Sequence, residues 1–142
     1  VTEVLDEAPD DPEEVFIAWL KPLRRTANTR RSGDPLPFTL VCHIAGEEID
    51  GYADAVVSVH TMCNKALGED AAKDEAELTH RRIMLQARYL EDIVLSDGRI
   101  ATVDYVNVFE MPHWVEYGDD QILQKIGRYR IGLAYVAVAA GS

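Results

Sequence analysis

The stretch that most constrains what this chain can become is Glu69 to Val94, a charge-laced run with helical periodicity. Ala72, Ala76, Thr79, Ile83, Ala87, Leu90 and Val94 recur at steps of three and four, and residues so spaced stack along one helix face. Asp74, Glu77, Arg81, Arg88 and Glu91 fall on the opposite, water-facing side. Such a helix would run roughly 37 Å, about the width of a small domain. In a chain of 142 residues, a rod of that length has to lie across a sheet supplied by the rest. Its alanine-lined first half allows close approach to the sheet, while Ile83, Leu90 and Val94 fill deeper space.

The flanking chain supplies that sheet. Residues 1–10 read as a flexible acidic arm. Asp11 is an N-cap with Pro12 at the first helical position, and Val15, Phe16, Trp19, Leu20 and Leu23 follow at helical spacing until Pro22 ends the helix. Thr26 to Pro37 reads as a long basic loop. Phe38 to Ala45 alternates as a strand, with Phe38, Leu40, Cys42 and Ile44 on one face and Thr39, Val41 and His43 on the other. Gly46 to Asp54 reads as a connection, and Ala55 to Met62 as a second strand, antiparallel to the first. After the long helix, Ser96-Asp97-Gly98 reads as its stop signal. Arg99 to Met111 is β-rich with a bulge expected near Asp104. Pro112 to Gln124 is a turn or hairpin, and Gly127 to Ala139 a final strand. The expected fold is α+β in the order α-β-β-α-β-β, a mainly antiparallel sheet of four or slightly more strands carrying one long and one short helix. Residues 11–142 form one such domain.

Net charge is −11, from 25 acidic and 14 basic residues. An acidic chain repels phosphate backbones, which argues against nucleic-acid binding by the whole surface. The charge is also segregated. Seven acids and no base lie in residues 1–20, whereas Lys21, Arg24, Arg25, Arg30 and Arg31 fall in residues 21–31 with no acid. Opposite blocks of this kind can pair within one molecule, or between neighbouring copies as a head-to-tail ring. No apolar run reaches the roughly 18 residues of a membrane span. The acidic start and two cysteines predict intracellular synthesis without a disulfide scaffold.

The search for chemistry returns little. Phosphate-loop, dinucleotide, metalloprotease and nucleophile-elbow spacings are absent from the sequence. Cys42, His43, His60 and Cys63 are of metal-binding types, but residues 42 and 43 point to opposite sheet faces, so no metal site is expected. His80 reads as a surface or interface residue of the helix, and His113 has no nucleophile nearby. Neither a catalytic group nor a cofactor site emerges. Trp114 and Tyr117 stand out instead, as aromatics in an otherwise polar hairpin, where such side chains serve core packing or an interface.

The order of pieces is nonetheless familiar. A helix bearing Ala18-Trp19-Leu20 and Pro22-Leu23 leads through a basic loop to Leu36-Pro37-Phe38, a valine-rich strand and the long helix. A Met111-Pro112 to Tyr117 hairpin and Gly127-Arg128-Tyr129-Arg130 close the chain. Over residues 12–138 this resembles the tail terminator proteins of bacteriophages with long non-contractile tails, of the type infecting actinobacteria. The arm before Asp11 has no counterpart in that pattern. The resemblance implies a non-enzymatic virion protein assembled in the host cytoplasm. It would form a homohexameric ring at the head–tail junction that caps the tail tube, ends its polymerisation and docks the head connector or stopper. Genomic DNA would pass through the lumen without specific binding. Arg24, Arg25, Arg30, Arg31, Trp114 and Tyr117 are the expected contact residues. The competing readings are another neck component (a connector, stopper or tube subunit), a small α+β enzyme, or a ligand-binding module with Cys42 and His60 beside a cavity.

Overall fold

A computed structural model describes residues 2–138. The chain runs through β1 (Glu7–Pro9), α1 (Pro12–Leu20), β2 (Thr26–Ala27), β3 (Phe38–Ile49) and β4 (Tyr52–Asn64). A 3₁₀ turn (Lys65–Leu67) leads to α2 (Glu69–Tyr89). Then follow β5 (Ile93–Val94), β6 (Ile100–Ala101), β7 (Tyr105–Val115) and β8 (Ile122–Ala137). Val1 of the expected arm, and residues 139–142 with the end of the expected last strand at Ala139, lie outside the described residues.

The expected four-stranded, mainly antiparallel sheet in the order α-β-β-α-β-β is overturned. Six strands form a curled mixed sheet, β1-β8-β4-β3-β2, with β7 also paired to β8, and β5 and β6 make a separate two-stranded piece. The sheet is mixed because Thr26–Ala27, inside the expected loop, pairs in parallel with Thr39–Leu40. Two residues are too few to show a period of two, so β2 leaves no pattern in the sequence. The arm, expected to be flexible, hides its three-residue strand for the same reason. Glu7–Pro9 in fact pairs with Tyr135–Ala137, and Asp10 is buried against Arg99, their side chains 3.0 Å apart.

The expected connection Gly46–Asp54 is instead the far half of one long β3–β4 hairpin that turns at Asp50-Gly51. A bulge between His43 and Ala45 shifts its register, and at Gly46 (φ +141°) a Cβ would stand 2.2 Å from the Asp54 carbonyl oxygen. Bulges in β7 fall between Val108 and His113 rather than near Asp104. The long helix stops at Tyr89, short of Val94. Leu90 turns left-handed (φ 49°), and the Gln86 side chain closes the end by donating to the Glu91 carbonyl (2.8 Å) and accepting from its N–H (3.1 Å). Ser96-Asp97-Gly98, expected as the stop signal of the long helix, is instead the turn that joins β5 to β6.

Both helices lie on one face of the sheet. α1 forms as its sequence predicts, with the Asp11 side chain accepting from the Glu13 N–H (2.9 Å). Val15, Phe16 and Leu20 of α1 and Ile83 of α2 pack on Val41, Ala55, Val57, Val59, Tyr129, Ile131 and Leu133. The helices clamp each other where Trp19 and Arg82 meet. Trp19 Nε1 donates to the Arg82 carbonyl (2.8 Å), Arg82 Nε donates to the Trp19 carbonyl (2.9 Å), and the guanidinium lies 3.7 Å from the indole centroid. His80, expected at the surface, is buried on this side and shares a 2.7 Å hydrogen bond with the Tyr129 hydroxyl. Burial chiefly, with Arg81 beside it, pushes its imidazole below the usual pKa and keeps it neutral.

Candidate functional site

Among the described residues no helix lies on the second face of the sheet, although Leu36 and Tyr117 pack over Phe38, Met62 and Ile122 at its loop end, and Val56, Ser58, Gln124 and Ile126 are also buried there. Strand alternation sends Tyr52, Asp54, Val56, Ser58, His60 and Met62 of β4 there, opposite Gly132, Arg130, Arg128, Ile126 and Gln124 of β8. The cations on this face are already partnered. Arg130 donates to Asp54 (2.7 Å) and Arg128 to Glu110 (2.9 Å). The Tyr105 hydroxyl completes the Asp54 site. Tyr52 and Tyr105 cross above Gly132, where a Cβ would come within 2.0 Å of the Tyr52 hydroxyl, so only glycine leaves room for both rings. Phe109, bulged from β7, lies 4.8 Å from the Arg130 guanidinium, measured to its ring centroid.

The most reaction-like group on this face is Ser58, His60 and Gln124. Ser58 Oγ and His60 Nε2 are 2.8 Å apart, and His60 Nδ1 stands 3.4 Å from Gln124 Oε1. Burial outweighs the Gln124 contact and lowers the His60 pKa, so the imidazole is neutral and able to accept. Ser58, however, is only 3% exposed, which leaves a substrate no path to its hydroxyl. Cys42 pairs in register with Ser58 and so shares the helix-free face with His60, whereas His43 and Cys63 point to the helix side. Among the described residues no group of three or more His, Cys, Asp or Glu side chains is placed to hold a metal ion.

The expected contact residues separate into three situations. Arg24 is buried. Its guanidinium grips Glu75 (2.7 and 3.0 Å) and reaches Thr39 (2.9 Å) and Thr79, tying the start of β3 to α2. It is a tertiary anchor rather than part of the exposed basic loop. Arg25, Arg30 and Arg31 gather around Asp34: Arg25 at 3.7 Å, Arg30 donating to its carbonyl (2.7 Å), and the Arg31 N–H donating to its carboxylate (2.8 Å). Arg25 and Arg31 remain exposed, while Arg30 leans toward the Phe38 ring.

Trp114 and Tyr117 behave differently from each other. Trp114 is 45% exposed, with Lys125 Nζ 5.1 Å from its ring centroid. Tyr117 packs against a second apolar cluster of Phe38, Met62 and Ile122, to which Leu36 and Ala27 of the basic loop also contribute. The loop and the late hairpin therefore meet at one end of the sheet. Beside them is a groove of about 500 Å³ lined by Lys65, Glu69, Trp114, Tyr117 and Leu123.

The opposite end is acidic. Glu47, Glu48 and Asp50 stand exposed at the β3–β4 turn, joined by Asp6 and Glu7 through the pairing of β1. The Tyr135 hydroxyl bonds Glu48, and its N–H donates to the Gly51 carbonyl (3.0 Å). Sequence reasoning missed this end, because the hairpin acids lie some forty residues from the arm. The alternation Arg128-x-Arg130 was visible, but its partners Asp54 and Glu110 become neighbours only through strand register. Comparison with known protein families and with curated proteins finds no match for the chain.

Proposed function

We propose that this chain is a structural subunit of the phage neck, a tail terminator that assembles as a homohexameric ring. The ring caps the tail tube, ends its polymerisation and receives the head connector or stopper at the head–tail junction of the virion. The observation that carries this reading is the helix-free sheet face, whose Arg130 and Arg128 are paired with Asp54 and Glu110 on a chain of net charge −11. Binding to a phosphate backbone draws on free cations that release counterions. A wall whose cations are already paired withholds that attraction, which suits a lumen through which DNA slides without catalysis or specific binding. The one-sided helix layer supports the same role, because it gives each subunit a rigid outer wall and leaves the sheet edges for neighbours.

The β-rich content favours a second reading, a stopper or tube subunit, more than the sequence did, since those proteins are mostly strands. The 21-residue α2 laid across the sheet keeps the terminator reading ahead. Two measurements test it. Mass determination in solution is expected to give a closed oligomer at high concentration, and a persistent monomer overturns the ring. Preassembled tail-tube ends are expected to bind the purified protein, and indifference to them removes the terminator role.

A further inference from the structure

One end of the sheet is acidic, and a basic corner sits at the other. β3 starts at Phe38 beside the basic loop and ends at Ile49 beside the acidic turn, a span of roughly 35 Å at about 3.3 Å per residue. The register of β8 agrees, since Ile122 lies opposite Asn64 at the loop end and Ala134 opposite Tyr52 at the turn end. β1 adds Glu7 to the turn end, where Glu47, Glu48 and Asp50 already stand, and the base close by, Arg99, is held by Asp10 and Asp97. At the other end, Arg25, Arg30 and Arg31 gather around one loop acid, Asp34. The 116–121 turn brings Glu116, Asp119 and Asp120 to that end too, with Tyr117 packed on the same cluster as Leu36 and Ala27, so the basic character is local to the β2–β3 corner.

Charges so far apart are screened from each other, because the Debye length at physiological salt is about 8 Å. The acidic turn and the basic loop of one molecule therefore cannot neutralise each other. Two further features mark the hairpin as more than a solvated turn. Ile44 and Ile49 are 48% and 68% exposed on it. β2 also stops at Leu40, so beyond it the outer edge of β3 has no strand partner among the described residues.

We infer that the acidic β3–β4 turn of one copy docks on the basic loop of the next, Arg25 to Arg31, with Ile49 buried in the contact. This rests on the ring reading above and names the surfaces that meet. The contact joins two different patches, so it repeats head to tail and closes into a ring when the rotation permits. Its charges steer encounter and fix the order of docking.

Charge reversal tests it with exposed residues outside the core. One variant carries Glu47→Arg and Asp50→Arg, and the other Arg25→Glu and Arg31→Glu. Alone, each variant sets like charge against like, and the concentration needed for assembly is expected to rise about 100-fold. Mixed in equal amounts, each offers the surface the other lacks, and assembly returns to within about tenfold of the unmodified protein. Circular dichroism confirms that both are folded. If both folded variants assemble like the unmodified protein, or if their mixture stays dispersed, the contact is overturned while the ring stands. If the unmodified protein itself never assembles, the ring reading falls first and this contact falls with it.

Discussion

Strands β4 and β8 carry two faces built by different rules. Toward the helices they present Val57, Val59, Tyr129 and Ile131, which interlock with Val15, Phe16, Leu20 and Ile83 in a dry apolar layer. Away from the helices the same strands present Asp54, Ser58, Arg128 and Arg130, where charge pairs and crossed tyrosines replace a second layer. The first face loses free energy whenever a methyl group is removed, because the cavity left behind cannot collapse fully. The second has water as a competing partner, so its ion pairs add little stability and serve to set the character of the surface. The helix side thus carries most of the apolar packing, and the other side carries the ion pairs.

Perturbing each face sharpens that contrast. Ile83→Ala, at the centre of the apolar layer, is expected to cost about 3 kcal/mol, read as a lowered denaturation midpoint with an unchanged slope. On the helix-free face, Gly132→Ala forces the Tyr52 and Tyr105 rings apart and is expected to cost about 2 kcal/mol, typical of an overpacked site. That variant should also disturb the Asp54 site, visible as a change in tyrosine fluorescence.

Buried His80 and half-buried His60 test both faces by pH. His80 on the helix side and His60 on the other both have imidazole pKa values held below the ordinary 6.5. The unfolded chain takes up these protons before the folded one does. Their contribution is therefore complete above pH 6.5 and is lost as pH falls from 6.5 through the lowered folded values. Unfolding midpoints are expected to be lower at pH 5.5 than at pH 7.5, and His60→Gln with His80→Gln should remove most of that difference. The smallest effect is expected from Asp54→Asn, at most about 1 kcal/mol, because Arg130 keeps access to water. The same change frees a cation on the helix-free face and should give measurable, salt-sensitive retention on a DNA column where the unmodified protein has none.

Periodicity made α1 and most of α2 legible, because a helix writes its buried face into local spacing. The first strand was legible only as far as the bulge after His43, since one extra residue exchanges the two faces from there onward. Among the expected contact residues, Trp114, Arg25 and Arg31 were found exposed. Arg24, drawn from the same basic run, was not, because a guanidinium among Glu75, Thr39 and Thr79 is defined by residues fifteen to fifty-five positions away.

The sequence by itself determined where the chain turns helical, which residues of each helix seek the core, and the excess of negative charge. Its alternating strands also determined that a sheet would have two unlike faces. Only the tertiary structure decided that the sheet has six strands, that a two-residue strand joins it in parallel, and that arm and hairpin acids gather at the end opposite the basic loop. The reason is physical: helical hydrogen bonds close within four residues, whereas strand pairing and charge placement depend on partners far along the chain, chosen only when the whole molecule packs.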